Sequence, residues 1–325
     1  MAPLPLEVGA IEEEDVAVAT PMPSSPRRPP GRRAAAERGG PRVDRSLRGV
    51  PDLPPWKNPT LWLFVIAAVL ITWASAGYLN GSMPAVTTVF INAVGIYLGF
   101  TVLHESVHRL VHKNRFLNDI LGWPTGLVLT LPQTTFRAVH LMHHSKTNDP
   151  EVDPDFFVGQ GPWWQFPIRM LSPLWEYRIK YYKGRWWRNG WELGAELATE
   201  ALIVALIVGS VVTGRFGDLF VLWLAPAMLA LAFLAYAFDK VPHQPYDNRE
   251  RFLDTRAYPS RVLNLLLLGQ NYHLVHHAWV TIVWYRYRPV FAAARPELET
   301  MGARINWGDH RRPLTGSRPA GTTEP

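Results

Sequence analysis

The chain has 325 residues, no cysteine and a formal net charge of +6, and 48% of its residues are hydrophobic. The absence of cysteine excludes disulfides, thiolate metal sites and a cysteine nucleophile. The chain is long enough for two soluble domains, but it contains 14 tryptophans and several apolar runs of nearly bilayer length. This composition favours an integral membrane protein.

The first 57 residues are polar and rich in proline, and they predict a disordered tail. They hold eleven of the 29 prolines, an acidic patch at 12–15 and eight arginines between 27 and 48. No apolar run of signal-peptide length occurs there, so we expect no cleaved secretory signal. The sequence therefore predicts a tail over 1–57, a membrane catalytic domain over 58–300 and a polar C-terminal tail over 301–325.

Four apolar stretches predict membrane-spanning helices of roughly 20 residues each. They cover residues 60–79, 84–103, 197–213 and 219–238. Glu200, near the start of the third stretch, predicts that this helix begins a turn later. Two interrupted apolar segments, 116–131 and 163–191, predict a re-entrant or interfacial piece and helices lying on the membrane surface.

The distribution of lysine and arginine predicts the orientation of this bundle. Both tails and the long stretch 104–196 carry nearly all of these residues, whereas the two short joints between spans carry one arginine. Positive residues remain on the cytoplasmic side of a membrane. We therefore expect both termini and the long loop to face the cytosol, on the same side as all the clustered histidines.

The histidines form three clusters at the ends of apolar stretches or between them. Residues at i, i+3 and i+4 lie on one face of a helix, so each cluster can direct several imidazoles to one point. Imidazole suits iron, copper, zinc and nickel. The predicted metal ligands are His104, His108, His140, His143, His144, His243, His273, His276 and His277. His112 shares a helical face with His108 and is either a further ligand or a neighbour of one, and His310 is predicted to be exposed.

The number of histidines narrows the chemistry. A neutral imidazole does not normally bridge two ions, so nine or ten of them would hold two metals further apart than bridging carboxylates do. Catalytic zinc takes three protein ligands and a water, and nine ligands would overfill two such sites. A transporter would place its ligands inside the spans. Oxygen-activating di-iron chemistry therefore matches the number and the position of the histidines best.

A ligating histidine usually donates its other ring nitrogen to a carboxylate or carbonyl group. Five acidic residues lie near enough in sequence to accept such a bond, although each is also suited to capping a helix or to the surface. Asn271, two residues before the third cluster, is a candidate weak ligand. The five acids are Glu105, Asp149, Asp153, Asp155 and Asp239.

The three histidine boxes resemble the membrane fatty-acid desaturase and hydroxylase superfamily. They read His-Xaa3-His, His-Xaa2-His-His and His-Xaa2-His-His, and their surroundings NDPEVDPD and GQNYHLVHH are similar to the cyanobacterial type of β-carotene hydroxylase. The resemblance covers roughly residues 60–295. Glu105 stands where the first box commonly has aspartate, and Val280 and Val283 stand where prolines are usual.

The resemblance implies an all-α membrane protein, with four spans and a cytosolic helical cap that carries a di-iron site. It also implies a non-haem Fe²⁺ monooxygenase that uses dioxygen to hydroxylate the ionone rings of β-carotene, giving β-cryptoxanthin and zeaxanthin. Electrons would come from a ferredoxin or similar carrier with its reductase. The implied partners are thus an apolar carotenoid, membrane lipid and this carrier, with no nucleic acid.

Two classes of alternative remain open. Ligand spacing does not separate hydroxylation from desaturation, so an acyl-lipid desaturase or a carotenoid ketolase of the same superfamily is possible. A histidine-rich membrane transporter or storage protein for metals is the alternative from a different class.

Overall fold

The computed structural model describes residues 40–306, and the predictions for residues 1–39 and 307–325, including His310, lie outside them. The described chain is mainly helical. Four of its helices are long and apolar enough to cross a membrane, and we number them as spans in chain order. They are Pro59–Leu79, Ala85–Val107, Gly190–Val212 and Phe216–His243. The all-α membrane fold is confirmed.

The last three spans extend beyond the apolar stretches that predicted them. The third begins at Gly190, so the prediction that Glu200 delays its start is wrong. Glu200 fits inside this helix because its carboxylate pairs with Arg178 at 2.6 Å, and pairing offsets the cost of removing a charge from water. The fourth span contains two π-helical segments, Phe220–Leu224 and Ala235–Lys240.

A side-chain hydrogen bond fixes where the first span begins. The Asn58 side chain accepts a hydrogen bond from the Thr60 backbone N–H at 3.0 Å, and Pro59 occupies the first helical turn. The Asn58 amide also donates to the Val111 carbonyl oxygen at 2.9 Å. This one cap therefore ties the start of the first span to the loop that follows the first histidine box.

The second span is the centre of the bundle. In its most apolar 18-residue stretch, 56% of the residues are buried, whereas in that of the third span only 17% are buried. It packs closely on the first span at Gly95, where an added Cβ would lie 2.7 Å from Ile71 Cγ1 and 3.2 Å from the Ala67 carbonyl oxygen. Large apolar side chains such as Trp62 and Val212 are exposed on the outer faces, as expected for helices that face lipid.

Shorter elements form a cap on the histidine-bearing ends of the spans. Its helices are Arg115–Val128, Gln133–Ser145, Phe156–Gly159, Phe166–Met170, Pro173–Gly184, Arg261–Leu266, His273–Ala278 and Tyr287–Thr300, with 3-10 turns at Arg45–Leu47, Pro55–Lys57, Trp163–Gln165, Gln270–Tyr272 and Trp284–Arg286. Two strands, Arg256–Ala257 and Arg304–Ile305, pair in parallel. Apolar segment 116–131 largely coincides with a 14-residue helix, which is too short to span a bilayer.

Candidate metal centre

Four segments of the chain present the histidines to one region. His104 lies in the last turn of the second span and His108 directly follows that helix. The helix Gln133–Ser145 carries the second box, and the short helix His273–Ala278 carries the third. His243 ends the fourth span. The i, i+3 and i+4 spacing within each helix places the rings on its inner face.

The rings form two groups. In the first group, Nε2 of His104 lies 3.0 Å from Nε2 of His276, and Nε2 of His108 lies 2.9 Å from Nε2 of His140. His144 joins this group, because its Nε2 lies 3.0 Å from that of His140. Four rings of this group each offer one nitrogen, and these nitrogens all lie within 4.8 Å of one another. The four are His104, His108, His140 and His276.

The second group contains His143, His243, His273 and His277. Nε2 of His277 lies 3.2 Å from Nε2 of His143 and 3.0 Å from Nε2 of His273. Nε2 of His243 lies 3.1 Å from that of His273. His144 is also close to His276 and His277, so it connects the two groups. The structure thus brings all nine predicted ligands together, eight of them buried and His108 partly buried.

The donor set fits metal ions. Burial lowers the pKa of His108 and of His273 to about 3, so these rings are neutral and their lone pairs are free to coordinate. Burial also lowers the pKa of His143, but Asp153 and Asp155 outweigh it and raise that pKa to about 10, so these carboxylates stabilise positive charge on the ring, either a proton or a metal ion that replaces it at Nε2. Metal–imidazole bonds of about 2.1 Å at right angles would place two nitrogens about 3.0 Å apart, close to the observed separations.

Two of the predicted acids contact a histidine of the centre. Nδ1 of His143 lies 2.8 Å from Asp153 Oδ1 and 3.2 Å from Asp155 Oδ2. Asp153 is itself held by the backbone N–H groups of Asn148, at 2.7 Å, and of Asp155, at 2.9 Å. The Tyr177 hydroxyl donates to Asp155. Because burial raises the pKa of Asp155 and His143 opposes that rise, the ring and its carboxylates stabilise each other.

The other candidates lie differently. Glu105 Oε1 is 3.8 Å from His104 Nδ1, too far for a hydrogen bond, and its Oε2 accepts from the Trp284 N–H at 3.4 Å. Asp149 pairs with Arg249 at 3.0 Å. Asp239 lines the small cavity beside the histidines. The Asn271 amide donates a hydrogen bond to the Tyr258 carbonyl oxygen at 2.9 Å.

Three partners of the ligands were not predicted. The Tyr287 hydroxyl lies 2.9 Å from Nδ1 of His276, Gln270 Oε1 lies 3.1 Å from Nδ1 of His273, and Thr147 Oγ1 lies 3.4 Å from Nδ1 of His277. Gln270 precedes His273 by three residues, so helical spacing could have indicated it. By contrast, His112 lies outside both groups, and its Nδ1 accepts a hydrogen bond from the Asn114 N–H at 2.9 Å.

Three phenylalanines form an aromatic layer beside the histidines. Phe100 and Phe136 each precede a box histidine by one helical turn, and Phe238 precedes His243 through the π-helical segment. The Phe100 ring lies 5.4 Å from that of Phe136 and 5.8 Å from that of Phe238. The cavity between this layer and the histidines has a volume of only about 20 Å³, close to the room that one water occupies.

The third span positions the second box. Glu196 accepts hydrogen bonds from the hydroxyls of Thr134 and Thr135 and from the Thr135 N–H, at the first turn of the helix Gln133–Ser145. One turn earlier on the span, Glu192 forms a buried ion pair with Arg137. These carboxylates explain why the third span begins before its apolar stretch.

Three known proteins are similar to parts of the chain. The chain is 32% identical to zeaxanthin 4-ketolase of Chlamydomonas reinhardtii over 104 residues, which is 31% of this chain and 23% of the ketolase. It is 24% identical to dihydrorhizobitoxine desaturase of Bradyrhizobium elkanii over 205 residues, 54% of this chain and 58% of the desaturase. It is 30% identical to acyl-lipid (7-3)-desaturase of Diacronema lutheri over 103 residues, 30% and 22% of the two chains. Each match spans less than two thirds of the relative's length.

The family comparison covers most of the chain. The family described as fatty acid desaturase matches residues 80–309, more than two thirds of the sequence. Together with the four spans and the buried histidine groups, this match identifies an oxidoreductase of the membrane desaturase type. The chain therefore belongs to the fatty acid desaturase family.

Proposed function

We propose that the chain is an oxygen-dependent di-iron monooxygenase that hydroxylates the ionone rings of β-carotene, giving β-cryptoxanthin and then zeaxanthin. The observation that carries the proposal is the convergence of nine imidazoles in two groups directly beside an aromatic layer. Two points support a carotenoid in particular: the similarity of the box surroundings to β-carotene hydroxylases, and the partial similarity to an enzyme named for its action on zeaxanthin.

The proposed ligands are His104, His108, His140 and His276 for one ion and His143, His243, His273 and His277 for the other, with His144 between them. Bound iron would activate dioxygen for cleavage of an unactivated C–H bond. Neutral imidazoles suit the ferrous state, because they add no negative charge. In the overall reaction one oxygen atom enters the substrate, and two electrons and two protons reduce the other to water.

The chain's own residues would orient the ring and exclude water. Phe100, Phe136 and Phe238 leave little free space beside the histidines, so an ionone ring must displace them and then packs against apolar surface. Such a site keeps water away from the reacting carbon. Asp153 and Tyr287 hold two imidazoles by their outer nitrogens, which keeps their inner nitrogens directed at the centre.

Orientation and electron supply belong to the same proposal. The charge pattern supports a chain in the cytoplasmic membrane with both termini and the cap in the cytosol. The division into residues 1–57, 58–300 and 301–325 stays a prediction. A ferredoxin or similar carrier, reduced by its own reductase, would deliver electrons to the cap, and the formal net charge of +6 on the chain favours an acidic donor.

Expression in cells that accumulate β-carotene tests substrate and reaction together. We expect more polar pigments whose mass has increased by one or two oxygen atoms, with the hydroxyls on the rings. Replacing His143 or His276 by alanine should abolish these products while the protein still enters the membrane. Oxygen incorporated as a ketone would instead identify a ketolase.

The similarity to an acyl-lipid desaturase gives the second candidate. Unchanged pigments together with new double bonds in the acyl lipids of the same cells would identify that activity and contradict our proposal. Metal analysis separates the enzyme from a transporter or storage protein. About two irons per chain are expected, and zinc without oxygen consumption would favour the latter class.

A further inference from the structure

A larger cavity lies outside the metal centre, between the fourth span and the short helix Phe166–Met170. Its volume is about 600 Å³, within the range of about 300–1,000 Å³ typical of small-molecule sites. Its lining comprises Val158, Gln160, Gly161, Pro162, Trp163, Trp164, Phe166, Pro167, Arg169, Met170 and Lys240.

Two cations line this cavity without a carboxylate partner among the described residues. Arg169 donates to Gln165 Oε1 at 2.8 Å and to the Phe157 carbonyl oxygen at 2.6 Å. Lys240 donates to the Gly159 carbonyl oxygen at 3.0 Å. No acidic side chain is part of the lining described above. The two positive charges are therefore held by neutral groups only.

The position of Arg169 depends on a glycine. Gly161 has φ +87°, a conformation that favours glycine, and a Cβ there would lie 2.5 Å from the Arg169 guanidinium. The guanidinium carbon also lies 4.1 Å from the centre of the Phe157 ring. The arginine is thus fixed at the cavity by the loop and by the preceding helix.

The rest of the cavity is suited to the edge of a membrane. The Phe166 ring lies 5.6 Å from that of Tyr236, and Met170 packs on Ala235, so the cavity wall continues the apolar surface of the fourth span. Trp163 and Trp164 are 87% and 64% exposed. Tryptophan at such positions is typical of the boundary between lipid head groups and acyl chains.

We propose that this cavity binds an anionic phospholipid, with its phosphate between Arg169 and Lys240 and its acyl chains along Phe166 and the fourth span. Charge complementarity selects an anionic lipid, because a zwitterionic head group brings a cation of its own to two cations that already lack an anion. This site is separate from the metal centre, and it does not depend on the proposed hydroxylase activity.

Quenching of tryptophan fluorescence by brominated lipids tests the site. The full chain is placed in phosphatidylcholine nanodiscs that contain a small, equal fraction of either brominated phosphatidylglycerol or brominated phosphatidylcholine. We expect an apparent preference for the anionic lipid of about 30-fold, since two cations near the membrane surface contribute. The double variant Trp163→Phe/Trp164→Phe should lose the excess quenching, because the quencher then has no tryptophan in the cavity.

Charge variants separate the cavity from general attraction to a basic protein. Arg169→Gln/Lys240→Gln should abolish the preference, whereas Lys183→Gln/Arg288→Gln, which removes the same charge from exposed positions, should keep it. Equal quenching by both lipids in the unmodified protein would overturn the proposal. Excess quenching by the anionic lipid that persists in the Arg169→Gln/Lys240→Gln variant would also overturn it. If that variant does not fold, excess quenching that persists in the Trp163→Phe/Trp164→Phe variant would do so.

Discussion

Asp153 and His143 form a buried pair in which the carboxylate holds Nδ1 of the ring at 2.8 Å. The opposite nitrogen of the same ring, Nε2, faces that of His277 at 3.2 Å. A hydrogen bond at Nδ1 fixes both the tautomer and the orientation of the imidazole. The pair therefore directs a lone pair into the second histidine group, and its removal should affect metal binding before it affects the fold.

Asp153→Asn should weaken metal binding by about 10–100-fold, as loss of a ligand's hydrogen-bond partner typically does. Iron content after dialysis against graded chelator measures this change. Asp149→Asn is the matched control, because Asp149 pairs with Arg249 and contacts no ring of the centre. This variant should keep the metal content of the unmodified protein. Equal iron loss in both variants would contradict the role assigned to Asp153.

Tyr287→Phe removes a hydroxyl that lies 2.9 Å from Nδ1 of His276. We expect the affinity for the ion of the first group to fall about tenfold, measured as faster loss of one of the two proposed irons to a chelator. Tyr285→Phe, two residues earlier, serves as the control. Unchanged iron release from the Tyr287 variant would show that this hydroxyl does not position the ring.

His112→Ala should leave the iron content at the level of the unmodified protein, because His112 lies outside both histidine groups. His108→Ala should lower it, since this ring belongs to the first group. Metal analysis of the two purified variants in parallel provides the measurement. Loss of iron from the His112 variant would add this residue to the ligands.

Phe100→Leu should enlarge the small cavity at the centre and broaden the positions at which the substrate is oxidised. The change keeps an apolar side chain and removes less volume than truncation to alanine, which typically costs about 3–5 kcal/mol, so the variant should fold. Product isomers resolved by chromatography and mass spectrometry give the readout. Phe90→Leu, on the exposed face of the same span, should leave the product pattern unchanged; the same pattern in both variants would argue against a selective aromatic layer.

Glu192→Gln should destabilise the protein by about 3–5 kcal/mol, because it leaves the buried Arg137 without its anion. We expect the melting temperature to fall by about 10 °C. Size-exclusion chromatography of samples heated to graded temperatures measures this fall. Glu299→Gln breaks the exposed pair with Arg295 and should change stability by less than about 1 kcal/mol. Similar melting temperatures for the two variants would contradict the anchoring role of Glu192.

The sequence predicted the four spans and the convergence of the nine histidines, because both follow from local patterns. It placed the start of the third span too late, since charge counting treats Glu200 as a break in the helix. The carboxylates of this region are satisfied by partners such as Arg137 and Arg178, which come from other segments. Hydropathy along one segment contains no information about such partners.

The surroundings of the ligands were predicted less completely for the same reason. Tyr287 reaches His276 only because the helix Tyr287–Thr300 packs on the third box in a shared apolar cluster. Among the acids near the second box, Asp153 contacts a ring and Asp149 does not, and the difference arises from the fold of the intervening loop. Proximity in sequence cannot distinguish them.

The two histidine groups draw on chain segments that are far apart, since His104 and His276 are separated by 172 residues. During synthesis on the ribosome, the first three spans and the second box are therefore complete while neither group has all its members. Full-affinity metal loading must wait until the third box emerges. Until then the nascent protein holds a set of unsatisfied imidazoles, and metal binding is coupled to the last stage of its folding.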